Sequence, residues 1–273
     1  VSSRHFALPC TLALTVLTGC PAEEPPVSAE TETETETGPP PSCLDTDTPG
    51  EDIIINSDAD MEELALSGCV PEHVIVSGGA VTSLAGLSEL REVGILDLRF
   101  NPVLDSFVGI EGLERVDHLI ITGDNKVANL PEFPNLVVGR LTIASNEILE
   151  DLGGFPAVTS LTRLEIDSNI ALTDLSGLDA LESITGDMLL TNSPIFVDYA
   201  NLGALISVGG SVDIQDNSEL DTLAGLGQLT SIGDGLRIIN NPKLSECLVG
   251  DFIAAAEIGG AVLFADNQSD LCD

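Results

Sequence analysis

Two apolar residues spaced two apart, with a small or turn-forming polar residue three positions further on, recur ten times along this chain. The pairs are Ile53/Ile55, Val74/Val76, Leu96/Leu98, Leu119/Ile121, Leu141/Ile143, Leu164/Ile166, Met188/Leu190, Val212/Ile214, Leu236/Ile238 and Val262/Phe264. The turn residues that follow are Asp58, Gly79, Asn101, Asp124, Asn146, Asn169, Ser193, Asn217, Asn241 and Asn267. Subtracting the first members of successive pairs gives separations of 21, 22, 23, 22, 23, 24, 24, 24 and 26 residues. A near-constant period in this range marks a solenoid.

The period-two alternation predicts a short strand with its apolar pair facing inward. One such strand can neither bury its face nor satisfy its edges. Stacking the coils about 4.8 Å apart pairs each strand with the next in a parallel sheet. The Asn or Asp ends the strand, because its short side chain bonds nearby backbone and tolerates left-handed geometry. Stacked asparagines can also bond the neighbouring coil. The following segment, of the form LxxLxGLxxLxxI, folds back and fills the same core, as with Leu220, Leu223, Leu226, Leu229 and Ile232. Gly86, Gly177 and Gly225 are expected to permit tight turns there. These asparagines serve the backbone, so no metal and no cofactor is expected in the ladder. The calcium-binding nonapeptide GGxGxDxUx is absent, and "GGSVDIQDN" is only a partial likeness. The expected fold is mainly β: a parallel β-helical, leucine-rich-repeat-like solenoid of about ten coils. Residues 246–257 are expected to form a short C-terminal capping helix, with Ser245 as N-cap and Gly259 just past its end.

The spacing Val93–Leu96–Leu98–Asn101 resembles the leucine-rich repeat LxxLxLxxN. The pattern departs from that family where Asn is followed by xxL, and where residues are added before the strand, as in "SVGGSVDI" and "SIGDGLRI". Those features are similar to the receptor L domain, the β-helical ligand-binding module of insulin- and EGF-receptor ectodomains, with related repeats in bacterial surface lipoproteins. The resemblance covers about residues 43–273. It implies an architecture and a binding role without naming a ligand.

Ahead of the repeats, residues 1–19 read as an export signal. Arg4 and His5 precede the apolar stretch "FALPCTLALTVL", which is too short to span a bilayer. It ends in Leu17-Thr18-Gly19-Cys20, which resembles the bacterial lipobox. That resemblance implies that Cys20 becomes the lipidated N-terminus and anchors the chain in a membrane. Pro21, in place of the Asp associated with inner-membrane retention, favours the outer membrane or the cell surface. A plain signal peptide with a chance Cys is the alternative. Residues 20–42 then form a Pro/Glu/Thr-rich linker that can extend up to about 70 Å, at roughly 3.3 Å per residue. A glycosylated stalk would have the same composition.

Four cysteines follow the linker: Cys43, Cys69, Cys247 and Cys272. An even remainder in an exported chain points to disulfides. Cys43 and Cys247 fall about eight coils, roughly 40 Å, apart, whereas a disulfide needs Cα atoms within about 7 Å. One clip per end, Cys43–Cys69 and Cys247–Cys272, is therefore expected.

Nine basic residues stand against 45 acidic ones, a formal charge of −36. So acidic a surface repels nucleic acid and anionic headgroups. No GxSxG, HExxH, Walker loop or CxxC is present, and carboxylates are too numerous for any pair of them to be informative. The chain is read as not an enzyme. A carbohydrate-active β-helix is the enzymatic alternative, although its long loops of clustered acids and bases are missing here. The strand register places Arg99, Arg140, Arg163, Arg237, His73 and His118 on the outward sheet face. His118, Arg140 and Arg163 share one column, flanked by Asp97, Thr142, Glu165 and Asp167. Arg99, His118, Arg140 and Arg163, with Asp97 and Glu165, form the candidate ligand face for a carboxylate, a sulfate or an acidic partner patch. Cross-strand pairing of the arginines with Asp97, Glu165 and Asp187 explains the same distribution more simply. Ile54, Ile75, Ile95, Ile120, Leu189, Ile239 and Leu263 also point outward, an apolar surface suited to a partner or to covering loops. The sequence thus predicts a lipid-anchored, exported repeat protein that binds a surface protein or glycan through its sheet face. A passive surface spacer is the structural alternative.

Overall fold

The computed structural model describes residues 52–60, 72–123 and 126–270, all within one compact unit, Pro39–Asp273. Its strands in chain order are β1 (Ile53–Ser57), β2 (His73–Ala80), β3 (Glu92–Arg99), β4 (Arg115–Thr122), β5 (Val137–Ala144), β6 (Ser160–Leu161), β7 (Arg163–Asp167), β8 (Ser183–Ile184), β9 (Met188–Thr191), β10 (Ser207–Val208), β11 (Val212–Gln215), β12 (Ser231–Ile232), β13 (Leu236–Ile239), β14 (Glu257–Ile258) and β15 (Val262–Ala265). The ten strands carrying the apolar pairs stack in sequence order, β1-β2-β3-β4-β5-β7-β9-β11-β13-β15. All pairings are parallel, as the repeat predicts. The register follows the repeat: Leu96 pairs Leu119, Leu141 pairs Leu164, and Val212 pairs Leu236. The protein is a β-solenoid.

From Val74 to Ile238 both members of every apolar pair are fully buried. The returning segments complete the core, with Leu220, Leu226, Leu229 and Ile232 buried from the far side. A fully buried aliphatic side chain of this kind contributes about 1.5–3 kcal/mol. Phe133 stacks on Phe155 at 5.0 Å, and Phe196 meets Tyr199 at 5.8 Å. The last pair departs from expectation. Val262 and Phe264 are 39% and 45% exposed, because β15 is the terminal strand of the sheet and no described strand stacks beyond it.

The residues added before the later strands form a second sheet, which the repeat did not announce. Dipeptides with an aliphatic second residue, Ser-Leu, Ser-Ile, Ser-Val, Ser-Ile and Glu-Ile in chain order, pair in parallel as β14-β12-β10-β8-β6. In β3, β4 and β5 the chain reaches the sheet in one eight-residue strand. In later coils it turns a corner through glycine. A Cβ on Gly233 would lie 2.0 Å from the carbonyl oxygen of Gly209 in the coil below, so backbone occupies the space a side chain would need. Gly225 has the same steric cause. Its Cβ would sit 1.9 Å from the Tyr199 carbonyl oxygen, so close coil approach, rather than turn geometry, requires glycine there.

The polar residues after the strands form a buried ladder. Asn101, Asn146, Asn169, Asn217, Asn241 and Asn267 each donate from Nδ2 to a strand carbonyl of the coil before, at 2.8–3.1 Å. The amides of Asn146, Ser193, Asn217 and Asn241 in turn donate to the next asparagine's Oδ1 at 3.0–3.2 Å. The left-handed residue is the one before the ladder position, not the ladder residue itself: Phe100, Ser145, Ser168, Asn192, Asp216, Asn240 and Asp266 all have φ between 51° and 58°. That turn swings the asparagine side chain inward, where it reaches two coils. Asp124 lies outside the described residues.

The C-terminal helix spans Glu246–Ala255. Ser245 caps it, accepting from the amides of Cys247 and Leu248. It ends two residues earlier than the sequence suggests, because Glu257–Ile258 leave it to pair as β14. Residues 1–19, the linker 20–42, Cys20, Cys43, Cys69 and Cys272 lie outside the described residues. Among the described residues no helix is long and apolar enough to cross a membrane.

Candidate functional site: the outward sheet face

Inward and outward positions alternate along each strand, so the core register also fixes the outward columns. One column runs His73, Ile95, His118, Arg140 and Arg163 through consecutive pairings. The next runs Ile75, Asp97, Ile120, Thr142, Glu165 and Leu189. Arg99 lies one column further on, opposite Ser77 and Thr122. His118, Arg140 and Arg163 are therefore neighbours on β4, β5 and β7, while Arg99 borders the group rather than extending its column.

Most of the outward arginines are engaged. Arg99 pairs with Asp97 on its own strand. Arg163 contacts Glu165 at 3.4 Å and Asp187 at 2.8 Å. Arg237 contacts Asp213 at 3.2 Å and donates to Gln215 at 3.3 Å. Arg140 differs: it is exposed and its side chain forms no ion pair or hydrogen bond among the described residues. The carboxylates around it are committed elsewhere, Glu165 to Arg163 and Asp117 to Arg115.

His118 is half-buried beside this cation. Its Nε2 and Thr142 Oγ1 are 3.0 Å apart, a hydrogen bond whose donor is set by the tautomer. Burial, then the positive charge of Arg140, hold its pKa below the usual imidazole value, while Asp97 and Glu165 act in the opposite sense. The shift favours the neutral imidazole, with the charge of Arg140 beside it. Asp97 is 2% exposed, and its Oδ1 is buried without a hydrogen-bond partner among the described residues. Among the described residues, no cluster of three or more His, Cys, Asp or Glu is arranged to hold a metal.

The outward apolar surface is smaller than the register alone implies. Ile54 and Leu263 are 56% and 50% exposed at the two ends, whereas Ile75, Ile95, Ile120, Leu189 and Ile239 are half-buried between their neighbours. The sequence brought the cations to one face and named their carboxylate partners. It missed that Arg140 would have no carboxylate partner among the described residues, which depends on which carboxylates the other arginines occupy, and it placed Thr142 only as a flank rather than as the partner of His118.

Fold and face together define a parallel β-solenoid with an asparagine ladder inside and a mixed-charge sheet surface outside. Comparison with protein-family models, curated proteins and solved structures found no match.

Proposed function

We propose that this chain is an exported, lipid-anchored envelope protein that recognises a surface protein or glycan through its outward sheet face. The observation that carries the reading is Arg140, a cation without a carboxylate partner among the described residues, on the exposed face of a chain with 45 acidic residues. A side chain that served only cross-strand pairing would be expected to hold a carboxylate. The repeat's resemblance to receptor L domains supports binding over catalysis. The lipobox-like Leu17-Thr18-Gly19-Cys20 supports an anchor at the outer membrane or cell surface, with residues 20–42 as the tether. Cys247, at the start of the C-terminal helix, is disulfide-bonded, which supports a clipped end. Non-reducing peptide mapping tests the pairs Cys43–Cys69 and Cys247–Cys272, and a crossed pair would refute them.

The spacer reading has its own observation, since Arg99, Arg163 and Arg237 all hold carboxylates or amides of the same face. Binding of the full chain to whole cells and to isolated envelope polysaccharide separates the two. Saturable binding that is lost when Arg99, Arg140 and Arg163 are all changed to Glu establishes recognition at this face. Absence of saturable binding leaves a spacer. Cys20→Ala is expected to abolish lipid labelling and release the protein from membranes.

A further inference from the structure

We propose that Arg140 is the anion-receiving centre of a site for a sparsely charged acidic glycan, one whose monocarboxylated sugar seats its carboxylate on the guanidinium, with Thr142 and His118 beside it to meet the hydroxyls. This rests on the recognition reading above and names the ligand class for the same face.

The pairing pattern comes first. On the strands either side of Arg140, Asp117 and Glu165 are held by Arg115 and Arg163, and one coil further out on each side Asp97 and Asp187 are held by Arg99 and Arg163. Arg140 sits in register directly beside Arg163. Like charges opposite one another on adjacent strands destabilise a sheet. The fold gains nothing visible from a second cation there, and an incoming anion relieves it.

The chemistry of the ligand follows from the donor and its setting. A guanidinium presents a planar fork that matches a carboxylate in two parallel hydrogen bonds. Thr142 Oγ1 can donate and accept, and the His118 ring nitrogen not engaged by Thr142 is available as well. One cation with hydroxyl-matching neighbours suits one carboxylate on a polyhydroxylated ring. The rest of the molecule decides against denser ligands. With a net charge of −36, a polyanion or a strongly acidic protein patch is repelled before it reaches Arg140.

His118 provides the reporter. It is one of three histidines in the chain, and Arg140 is one of the groups that lower its pKa. The charged groups acting on it are Asp97 on β3, Arg140 on β5, and Arg163 and Glu165 on β7. A carboxylate seated on Arg140 would offset the positive charge that most lowers the His118 pKa.

The test is an NMR titration of the histidine ring protons in the full chain in mild detergent, with His118→Asn assigning the resonance. The probes are an oligosaccharide of alternating glucuronate and neutral sugars, its carboxyl-reduced counterpart, free glucuronate and acetate. The acidic oligosaccharide is expected to bind saturably and raise the His118 midpoint, and the reduced one to do neither. Arg140→Gln is expected to raise the midpoint without ligand and to weaken binding about tenfold or more. Arg163→Gln leaves the Arg140 fork in place and is expected to retain binding. No response to either uronate probe, equal binding by Arg140→Gln, or acetate binding as tightly as the oligosaccharide would each overturn the proposal. Envelope binding that persists without a uronate response rejects this inference alone, whereas loss of envelope binding by the wild-type chain rejects the recognition reading itself.

Discussion

Replacing Asn217 by Ala should destabilise the solenoid far more than the same change at Asn101, although both side chains are fully buried. Asn217 Nδ2 donates to the Leu190 carbonyl at 2.9 Å and to the Tyr199 hydroxyl at 3.2 Å. Its Oδ1 accepts the amide of Ser193 at 3.0 Å. Truncation removes three hydrogen bonds and strands a buried amide and a buried carbonyl. At about 1 kcal/mol net per bond, and with the extra cost of groups left unsatisfied in the core, the loss is about 3–5 kcal/mol. Among the described residues Asn101 has only one such bond, to Val76, and its Oδ1 is already without a partner. Its truncation should cost about 1–2 kcal/mol. The volume removed is equal in the two variants, so cavity terms largely cancel. Urea unfolding followed by circular dichroism gives the global difference. A repeat array need not unfold in one step, so hydrogen exchange of the Ser193 amide supplies the local reading. Equal destabilisation by the two variants, or unchanged Ser193 protection in Asn217→Ala, would refute the ladder as the element that joins coil to coil.

Other outcomes follow from single contacts. Gly233→Ala places a methyl 2.0 Å from the Gly209 carbonyl and should destabilise by at least about 1–3 kcal/mol, whereas Gly250→Ala, in the helix with open space around it, should stabilise by roughly 0.5–1 kcal/mol, both read by urea midpoints. Tyr199, the chain's one tyrosine, is fully buried and its pKa is pushed well above the usual phenol value. Its contribution to stability is complete below the unfolded pKa of about 10 and declines as pH rises beyond it, so tyrosinate absorbance should emerge only together with unfolding. Thr82→Val should raise the pKa of Asp58, which is lowered chiefly by the Thr82 hydroxyl and then by the Thr82 amide. The stabilisation Asp58 supplies is present above its unfolded pKa and is lost as pH falls through the lower folded value, which carbon NMR of the carboxyl can follow.

The coil stack was legible because its cause is local and repeated. A pair such as Leu141/Ile143 must face inward, and a 23-residue step to Leu164/Ile166 leaves one register in which both pairs stay buried. The second sheet was not legible, since Ser207–Val208 is too short to show a period and pairs only because the coil before places Ser183–Ile184 beside it. The left-handed positions were also obscure. Phe100 has no intrinsic preference for φ near 51°, and adopts it because the strand must turn for Asn101 to point inward. At the candidate site, the column of His118, Arg140 and Arg163 was readable from register. Whether an arginine in that column is free was not, because it depends on which of several nearby carboxylates each guanidinium reaches.

The two sides of the sheet obey different constraints. The inward column Val76, Leu98, Ile121, Ile143, Ile166, Leu190, Ile214 and Ile238 is aliphatic throughout and wholly buried. The outward column Ile75, Asp97, Ile120, Thr142, Glu165, Leu189, Asp213 and Arg237 follows no such rule. Coil closure is carried by the core, the corner glycines and the ladder, so most outward substitutions should change stability by less than about 0.5 kcal/mol. That freedom makes the outward face the place where recognition can vary without unfolding the scaffold. It also yields a contrast between two adjacent arginines. A change at Arg163, which holds Glu165 and Asp187, should alter local stability whether or not anything binds. A change at Arg140, whose side chain holds no carboxylate among the described residues, should leave stability where it was, so any loss of binding there reports recognition and not the fold.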